Sequence, residues 1–211
     1  MAMSEPHVVV RRAGWLRRLW QPTKLLVSRL WGPRVVWGFI GRHGEYLEDT
    51  RISNQCSISA RESLDLGDHV FIGHFGVIDA SGGLSIGEGT QISCFAGIFT
   101  HSSHVAVRLY GRNYARADRK DAYFNVPVRI GPYCFLGANA VVLPGTVLGR
   151  GCLVAANSVV KGVFPEFSFV AGNPARRVGD TRERDKPFLA MYPQLQASYA
   201  RWAGPAAEDS A

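Results

Sequence analysis

The sequence predicts an all-β fold: a left-handed parallel β-helix with short N- and C-terminal helices and one long loop. An aliphatic residue followed by a small residue returns every six positions in the second half, as in Ile130-Gly131, Leu136-Gly137 and Leu148-Gly149. The same spacing runs through the first half, as in Leu66-Gly67 and Ile72-Gly73. A fixed short period is the sequence sign of a solenoid, and a six-residue period points to a parallel β-helix.

In such a hexad the aliphatic residue points inward and the small residue lets the chain turn a corner. Three hexads make one triangular coil, and the inward aliphatics stack from coil to coil into a continuous core. We expect roughly five to six coils between residues 51 and 178. A left-handed coil breaks the general right-handed crossover rule, and the hexad period is the mark of that exception.

Composition limits the classes of protein that the chain can belong to. At 211 residues with 46% hydrophobic residues, it is long enough to bury one core. The net charge of +7 suggests an anionic partner, such as a phosphorylated cofactor, a nucleotide-linked substrate, a membrane surface or nucleic acid. No recognised nucleic-acid-binding motif is present, so nucleic acid is not expected.

Cysteine usage and hydropathy predict the compartment. The four cysteines form no CxxC pair and have no metal-like spacing with histidine, so no metal is expected. Cys134 and Cys152 take a hexad position that elsewhere holds small residues, and we interpret both as core fillers. No apolar stretch is long enough to span a bilayer, and no signal peptide is recognisable. These features predict a cytoplasmic protein, with membrane association left open.

Residues 1–50 are expected to form a basic, Trp-rich helical cap. Residues 11–42 hold eight basic residues and no acidic one, and tryptophans are interleaved among them. Prolines 22 and 33 divide this region into helices expected near 11–20 and 23–31. The region could cover the open end of the coil, which a solenoid needs, or make a peripheral contact with a membrane surface.

Two departures interrupt the hexads, and a tail follows them. Gly82-Gly83 adds two residues, which predicts a small corner bulge. Residues 101–127 have no hexad period but contain several arginines and tyrosines, which favours a functional loop. Residues 179–211 are expected to form a C-terminal helix, from about 186 to 202, and a disordered tail.

These features together resemble a known superfamily. The hexads, the Thr100-His101 pair before the long loop and the segment 171–175 (AGNPA) after the last coil resemble the hexapeptide-repeat acyltransferases. The chain is similar to the branch that contains maltose and galactoside O-acetyltransferases and the acetyltransferases of surface-polysaccharide assembly. The resemblance covers roughly residues 50–178. It implies transfer of an acetyl group from acetyl-CoA, as co-substrate, to a hydroxyl of a sugar or glycan acceptor.

The resemblance places the general base on His101. A sugar hydroxyl is a poor nucleophile near neutral pH, and a histidine can take its proton because the imidazole titrates near the working pH. His104 is a rival for this role and otherwise a candidate substrate contact. His74 matches a position that carries asparagine at a substrate site of the sugar acetyltransferases, so a histidine there is a departure. Asp79 could contact acceptor hydroxyls, orient an imidazole, or simply satisfy backbone amides at a corner.

The acetyl-CoA contacts follow from the same resemblance. Pantetheine is an extended amide chain that needs small side chains beside exposed backbone, and the resemblance places these contacts at Ala138 and Ala156. The CoA phosphates need cations, and Lys161, Arg176 and Arg177 are the candidates near the last coil. Members of the family are homotrimers, so a homotrimer is expected.

Two other functions stay open at this point. The same fold could transfer an acetyl group to the amine of an amino sugar. Alternatively, the chain could be a membrane-surface module or an inactive scaffold coil, although a scaffold needs neither Thr100-His101 nor the AGNPA segment.

Overall fold

The computed structural model describes residues 23, 26–27, 32–117 and 121–204. The strands of this part are, in chain order, β1 (Val35–Ile40), β2 (Tyr46–Ser53), β3 (Ser57–Ser59), β4 (Leu64–Leu66), β5 (Phe71–Ile72), β6 (Val77–Asp79), β7 (Leu84–Ile86), β8 (Gln91–Ile92), β9 (Gly97–Ile98), β10 (His101–Ser102), β11 (Phe124–Asn125), β12 (Val128–Ile130), β13 (Phe135–Leu136), β14 (Val141–Val142), β15 (Val147–Leu148), β16 (Leu153–Val154), β17 (Val159–Val160), β18 (Val163–Phe164), β19 (Ser168–Gly172) and β20 (Ala175–Asp180). The α-helices after residue 100 are α1 (Ala106–Tyr110), α2 (Thr181–Met191) and α3 (Gln196–Ala203). Short 3-10 helices span Arg61–Ser63, Gly111–Arg116 and Pro193–Leu195.

Three sheets form the sides of a triangular prism, and strands of successive coils pair in parallel within each sheet. Sheet A has the order β1-β2-β5-β8-β13-β16-β19-β20, sheet B the order β17-β14-β9-β6-β3, and sheet C the order β18-β15-β12-β7-β4. The chain passes from sheet A to B to C and back, and we name the turns between them the A–B, B–C and C–A corners. The described residues complete five coils, and β19 begins a sixth. The predicted left-handed parallel β-helix is confirmed.

The hexad aliphatics form the core. Within each sheet they pair in register from coil to coil, as Ile52 with Ile72 and Ile72 with Ile92 in sheet A. Ile72, Ile78, Ile92 and Ile98 are fully buried. Cys134 and Cys152 lie inside the same core, as predicted for fillers, and both are free thiols. One continuous column of apolar side chains therefore holds the coils together.

The residue after each inward aliphatic is small for a steric reason. A Cβ added to Gly137 would lie 2.4 Å from the amide nitrogen of Ala156, and one added to Gly67 would lie 2.5 Å from that of Glu88. In both cases the neighbour is backbone of the next coil, which cannot move aside without breaking the ladder. The glycine therefore marks the place where two coils approach most closely.

The expected helical cap over residues 1–50 is wrong for its last part. The strands β1 and β2 form an antiparallel hairpin, and β2 then pairs in parallel with β5. Phe39 and Leu47, which pair across the two strands, are buried beneath the hairpin, so this segment extends sheet A instead of forming a helix. Thr23, Leu26 and Val27 are helical, and the rest of the two expected N-terminal helices lies outside the described residues.

The C-terminal segment begins with a strand. The strand β20 runs antiparallel to β19 and covers the end of sheet A, so the coil region extends to 180, past the boundary expected at 178. Asp180 caps α2 by accepting a hydrogen bond from the Arg182 amide at 2.9 Å. The single expected helix is two helices, because Pro193 lacks the amide hydrogen that a continuous helix needs. Within the described residues, no helix is long and apolar enough to cross a membrane.

Because the core is continuous, we expect that shortening one of its side chains lowers stability strongly. Changing Ile72, which is 0% exposed, to alanine is expected to lower the free energy of unfolding by about 2–5 kcal/mol, because the cavity cannot close between two fixed coils. Chemical denaturation at fixed protein concentration measures this loss. The control is Val163→Ala: Val163 is 76% exposed, and its change is expected to stay within about 0.5 kcal/mol. Equal losses in the two variants would contradict the stacked core.

Candidate functional site

The structure brings Asp79 and His101 together at the B–C corner. Asp79 ends β6 in the second coil, and His101 begins the loop one coil later. The imidazole Nδ1 of His101 lies 2.7 Å from Oδ2 of Asp79 and 3.0 Å from Oγ of Ser81. Among the contacts of the described residues, this is the one place where two of the site residues expected from the sequence touch each other.

The Asp79 carboxylate is buried and surrounded by donors. The residue is 5% exposed, and its Oδ2 accepts hydrogen bonds from the amide and the hydroxyl of Thr100, each at 2.9 Å. Its Oδ1 accepts from the hydroxyl of Ser59 and from the amide of Ser81, each at 3.2 Å. The oxygens of Asp79 are therefore saturated from within the chain. This arrangement favours the orientation of an imidazole over contact with acceptor hydroxyls.

These contacts fix the charge of Asp79 and the hydrogen on one nitrogen of His101. Burial raises the pKa of Asp79, but the hydrogen bonds from Thr100, Ser81 and His101 outweigh burial and hold the pKa well below its usual range. The carboxylate is therefore ionised at neutral pH and can only accept, so Nδ1 of His101 carries the hydrogen. In the neutral imidazole the lone pair then lies on Nε2, which has no hydrogen-bond partner in the part of the chain that the structure describes. The His101 side chain is 36% exposed.

The loop is closed directly beside this pair. The strands β10 and β11 pair antiparallel, with His101 opposite Asn125, and the Val126 amide donates to the Thr100 carbonyl at 2.8 Å. A Cβ on Gly82 would lie 2.4 Å from that carbonyl oxygen, so the predicted corner bulge makes room for the closure. Between the two strands the expected loop contains α1 and a 3-10 helix, and 118–120 lie outside the described residues.

His104 lies in the loop and does not touch Asp79. Its Nδ1 is 2.7 Å from the hydroxyl of Ser102, and its ring stacks on Phe124 with centroids 5.6 Å apart. The side chain is exposed. His104 therefore lacks the buried carboxylate that orients His101, while remaining available to an acceptor.

His74 lies at a different corner from His101. It follows β5, at the A–B corner of the second coil, and its Nδ1 is 2.7 Å from the hydroxyl of Ser53. The rest of the A–B corner and the strand β6, which ends at Asp79, lie between His74 and the B–C corner. One chain therefore does not bring His74 to the Asp79–His101 pair.

The expected CoA residues also divide between corners. Ala138 and Ala156 are exposed and lie one above the other at the A–B corner, where the Asn157 amide donates to the Ala138 carbonyl at 3.0 Å. Lys161 is exposed at the B–C corner, two coils beyond His101. The two groups lie at opposite ends of the sheet B strands.

The two arginines lie on β20. Both are exposed. Arg176 donates to the Ala175 carbonyl at 2.9 Å, and Arg177 forms an ion pair with Asp180 at 3.2 Å. The charge of Arg177 is therefore partly neutralised within the chain, whereas Lys161 has no ion-pair partner among the described residues.

One group of side chains has the composition of a metal site, at the C–A corner. Ligand atoms of Asp49, Asp68 and His69 lie within 4.8 Å of one another. Oδ1 of Asp68 already accepts from the amides of Asp49 and His69 and from the Thr50 hydroxyl. The Asp68 carboxylate therefore stabilises the turn at this corner, which lies away from His101.

Sequence reasoning missed three residues of the site. Ser59 and Ser81 contact the Asp79–His101 pair, and Tyr123 stacks on the His101 ring. Ser59 lies one coil before Asp79 and in register with it, a signal that the coil spacing could have shown, and Ser81 follows Asp79 by two residues. Tyr123 lies in a stretch without a period, so only its aromatic character pointed to it.

Known proteins share this architecture. The family model of the hexapeptide repeat of succinyl-transferase matches residues 127–161. A Mycobacterium tuberculosis protein named as a probable acetyltransferase is 30% identical over 152 residues, which are 71% of this chain and 48% of that protein. An Escherichia coli protein named for O-acetyl transfer in lipopolysaccharide biosynthesis is 53% identical over 49 residues, 23% of this chain and 25% of the relative. The chain thus spans half or less of these two relatives.

Two further comparisons cover more of the related protein's own length. The dTDP-4-amino-4,6-dideoxy-D-glucose acyltransferase of Escherichia coli is 28% identical over 148 residues, which are 68% of this chain and 73% of that protein. A hexapeptide-repeat acetyltransferase of Vibrio cholerae, solved with acetyl-CoA, has a TM-score of 0.52 and 26% identity. The match covers 59% of this chain and 64% of that structure.

The six-residue period, the three-sheet prism and these relatives all indicate the same fold. The resemblance therefore rests on the whole coil and not only on single motifs. The chain belongs to the hexapeptide-repeat acyltransferase superfamily.

Proposed function

We propose that the protein transfers an acetyl group from acetyl-CoA to a hydroxyl of a sugar or glycan intermediate, with His101 as the general base. The observation that carries the proposal is the buried, ionised Asp79 at 2.7 Å from Nδ1 of a partly exposed histidine. A histidine held in this way offers Nε2 as a proton acceptor next to solvent.

The reaction follows from that geometry. Nε2 removes the proton of the acceptor hydroxyl while its oxygen attacks the thioester carbonyl carbon. The carbon–sulfur bond then breaks, and the CoA sulfur leaves with the proton held by the imidazolium. Asp79 stabilises the imidazolium between these two transfers, because its negative charge lies against Nδ1 throughout.

The relatives support an acyl-CoA donor and a carbohydrate acceptor. One relative is named for O-acetyl transfer in lipopolysaccharide biosynthesis, and the Vibrio cholerae protein was solved with acetyl-CoA. We place the pantetheine along Ala138 and Ala156, which are exposed and have short side chains. Lys161 and Arg176 are the candidates for the CoA phosphates, because Arg177 is paired with Asp180.

The second candidate function is acyl transfer to an amino sugar. It is favoured by the similarity to a dTDP-amino-sugar acyltransferase, which covers 68% of this chain. The same base serves either acceptor. A panel of sugars and nucleotide sugars, each with a matched hydroxyl and amine form, separates the two functions.

We further propose a homotrimer in which two chains build each site. The support is that His101 and Lys161 lie at the B–C corner, whereas His74, Ala138 and Ala156 lie at the A–B corner. Head-to-tail packing around a threefold axis brings one corner of each chain against the other corner of its neighbour. The acetyl-CoA and the acceptor then lie between chains.

Replacing His101 by alanine tests the base. We expect turnover to fall about 10²- to 10⁴-fold while acetyl-CoA binding stays unchanged, because the imidazole acts in proton transfer and not in holding CoA. Thiol release with the acceptor panel measures turnover, and calorimetry measures binding. His104→Ala is the matched control in the same loop, and a fall of this size in kcat for His104→Ala but not for His101→Ala would assign the base to His104 instead. No acetyl-CoA binding by the wild type would contradict the acyltransferase function.

Replacing Asp79 by asparagine tests the buried carboxylate. We expect turnover to fall at least about tenfold, because an amide cannot stabilise the imidazolium. The folded-state pKa of Asp79 lies below its unfolded value of about 3.9, so its contribution to stability is present above that pH and is lost as the pH falls through the folded pKa. The difference in unfolding free energy between wild type and variant should therefore be largest above about pH 5 and shrink at lower pH. A difference that is constant from pH 7 to 3 would contradict an ionised Asp79.

Mixing two inactive variants tests the shared site. His101→Ala removes the base, and Ala156→Trp fills the expected pantetheine path. When the two are co-expressed with different tags, a shared site restores about a quarter of wild-type activity to randomly mixed trimers, since one interface in four carries both intact residues. Light scattering on the purified mixture measures the assembly. Mixed trimers without activity would place each site within a single chain.

A further inference from the structure

Tyr123 lies against the proposed base. Its ring and the His101 imidazole are nearly parallel, with centroids 5.6 Å apart and planes at 7°. Tyr123 immediately precedes β11. The β10–β11 ladder that pairs His101 with Asn125 therefore also holds the backbone of Tyr123 close to His101. The contact is therefore built into the closure of the loop.

The other contacts of His101 leave the plane of its ring undetermined. Asp79 and Ser81 both approach Nδ1, on one edge of the imidazole. A hydrogen bond at one edge permits rotation about its own axis, and the χ2 torsion of histidine is broad. The Tyr123 ring is the flat surface that limits this rotation, and so it determines the direction of the lone pair on Nε2.

The stack also distinguishes the two charge states of the imidazole. A neutral phenol ring presents a negative π face, which attracts a cation more strongly than a neutral ring. Burial raises the pKa of the Tyr123 hydroxyl, and the charges of Tyr114 and Asp79 raise it further, so the phenol stays neutral near pH 7. The face of Tyr123 is thus suited to an imidazolium.

We propose that Tyr123 is a positioning residue for His101: its ring fixes the plane of the imidazole and stabilises the protonated base that forms during transfer. The inference rests on the proposed function, since it assigns Tyr123 a role through His101. It goes beyond that function because it couples the loop of residues 101–127 to the chemistry of the coil.

Three variants test this role. Tyr123→Phe keeps the ring and should behave like wild type. Tyr123→Leu keeps apolar bulk but removes the π face. Tyr110→Ala is the matched control for a loosened loop, because Tyr110 contacts Asp121 within the same loop through its hydroxyl.

For Tyr123→Leu we expect kcat to fall about three- to tenfold with the KM for acetyl-CoA unchanged. The acid limb of the kcat/KM profile should move to lower pH by about half a pH unit, because the protonated imidazole loses a partner. Tyr110→Ala should leave this midpoint in place. A Leu variant with the wild-type profile, or a Tyr110→Ala profile that moves equally, would overturn the proposal, as would a rise in acceptor KM alone.

A measurement without turnover separates this inference from the proposed function. The ring-proton resonances of His101, assigned by their loss in His101→Ala, are titrated by NMR in the absence of substrates. The same downward shift of the midpoint is expected in Tyr123→Leu and not in Tyr123→Phe. If the His101 resonances titrate identically in the wild type, Tyr123→Leu and Tyr123→Phe, Tyr123 does not position the base, whatever the acceptor panel shows.

Discussion

The close approach of successive backbones is the constraint on which this fold depends. Each parallel ladder sets neighbouring coils about 4.8 Å apart, so little room is left for a side chain where one corner passes over the next. Gly137 and Gly67 meet the following coil at distances that exclude a Cβ. The inward aliphatic residue supplies the burial, and the small residue after it permits the stacking. Both requirements recur with the same period, which is why the coil is visible in the sequence.

Asp79 occupies one of these small-residue positions, and the site grows out of that exception. A carboxylate buried at a corner is costly unless it is hydrogen-bonded. Thr100 of the next coil supplies two hydrogen bonds, and Ser59 of the preceding coil supplies a third. The regular spacing of the coils thus delivers donors from both sides to a fixed point. The histidine that follows Thr100 receives an oriented, negatively charged partner without any special loop geometry.

The sequence predicted the coil more fully than it predicted the surroundings of the candidate base, His101. The core could be predicted because the inward residue is the aliphatic residue of each hexad, and it can be identified without knowing any distant contact. Asp79 was recognised as a candidate, but its three alternatives could be separated only by its burial. His74 was expected one coil before His101, and it lies there, but 27 positions are not a whole number of coils, so it occupies another corner. The hairpin of β1 and β2 was missed because Phe39 and Leu47 come together only when the two strands pair, and no period in the sequence shows that pairing.

The loop could not be predicted, because its conformation depends on contacts that no period encodes. The short β10–β11 ladder, the bulge at Gly82 and the stack of Tyr123 on His101 all join residues from opposite ends of the loop. The coils hold the ionised Asp79 against one edge of the His101 ring, and the loop places Tyr123 against the face of the same ring. In the function that we propose, the solenoid therefore fixes the proton-transfer pair, and the loop and the neighbouring corner are the surfaces left to meet the acceptor.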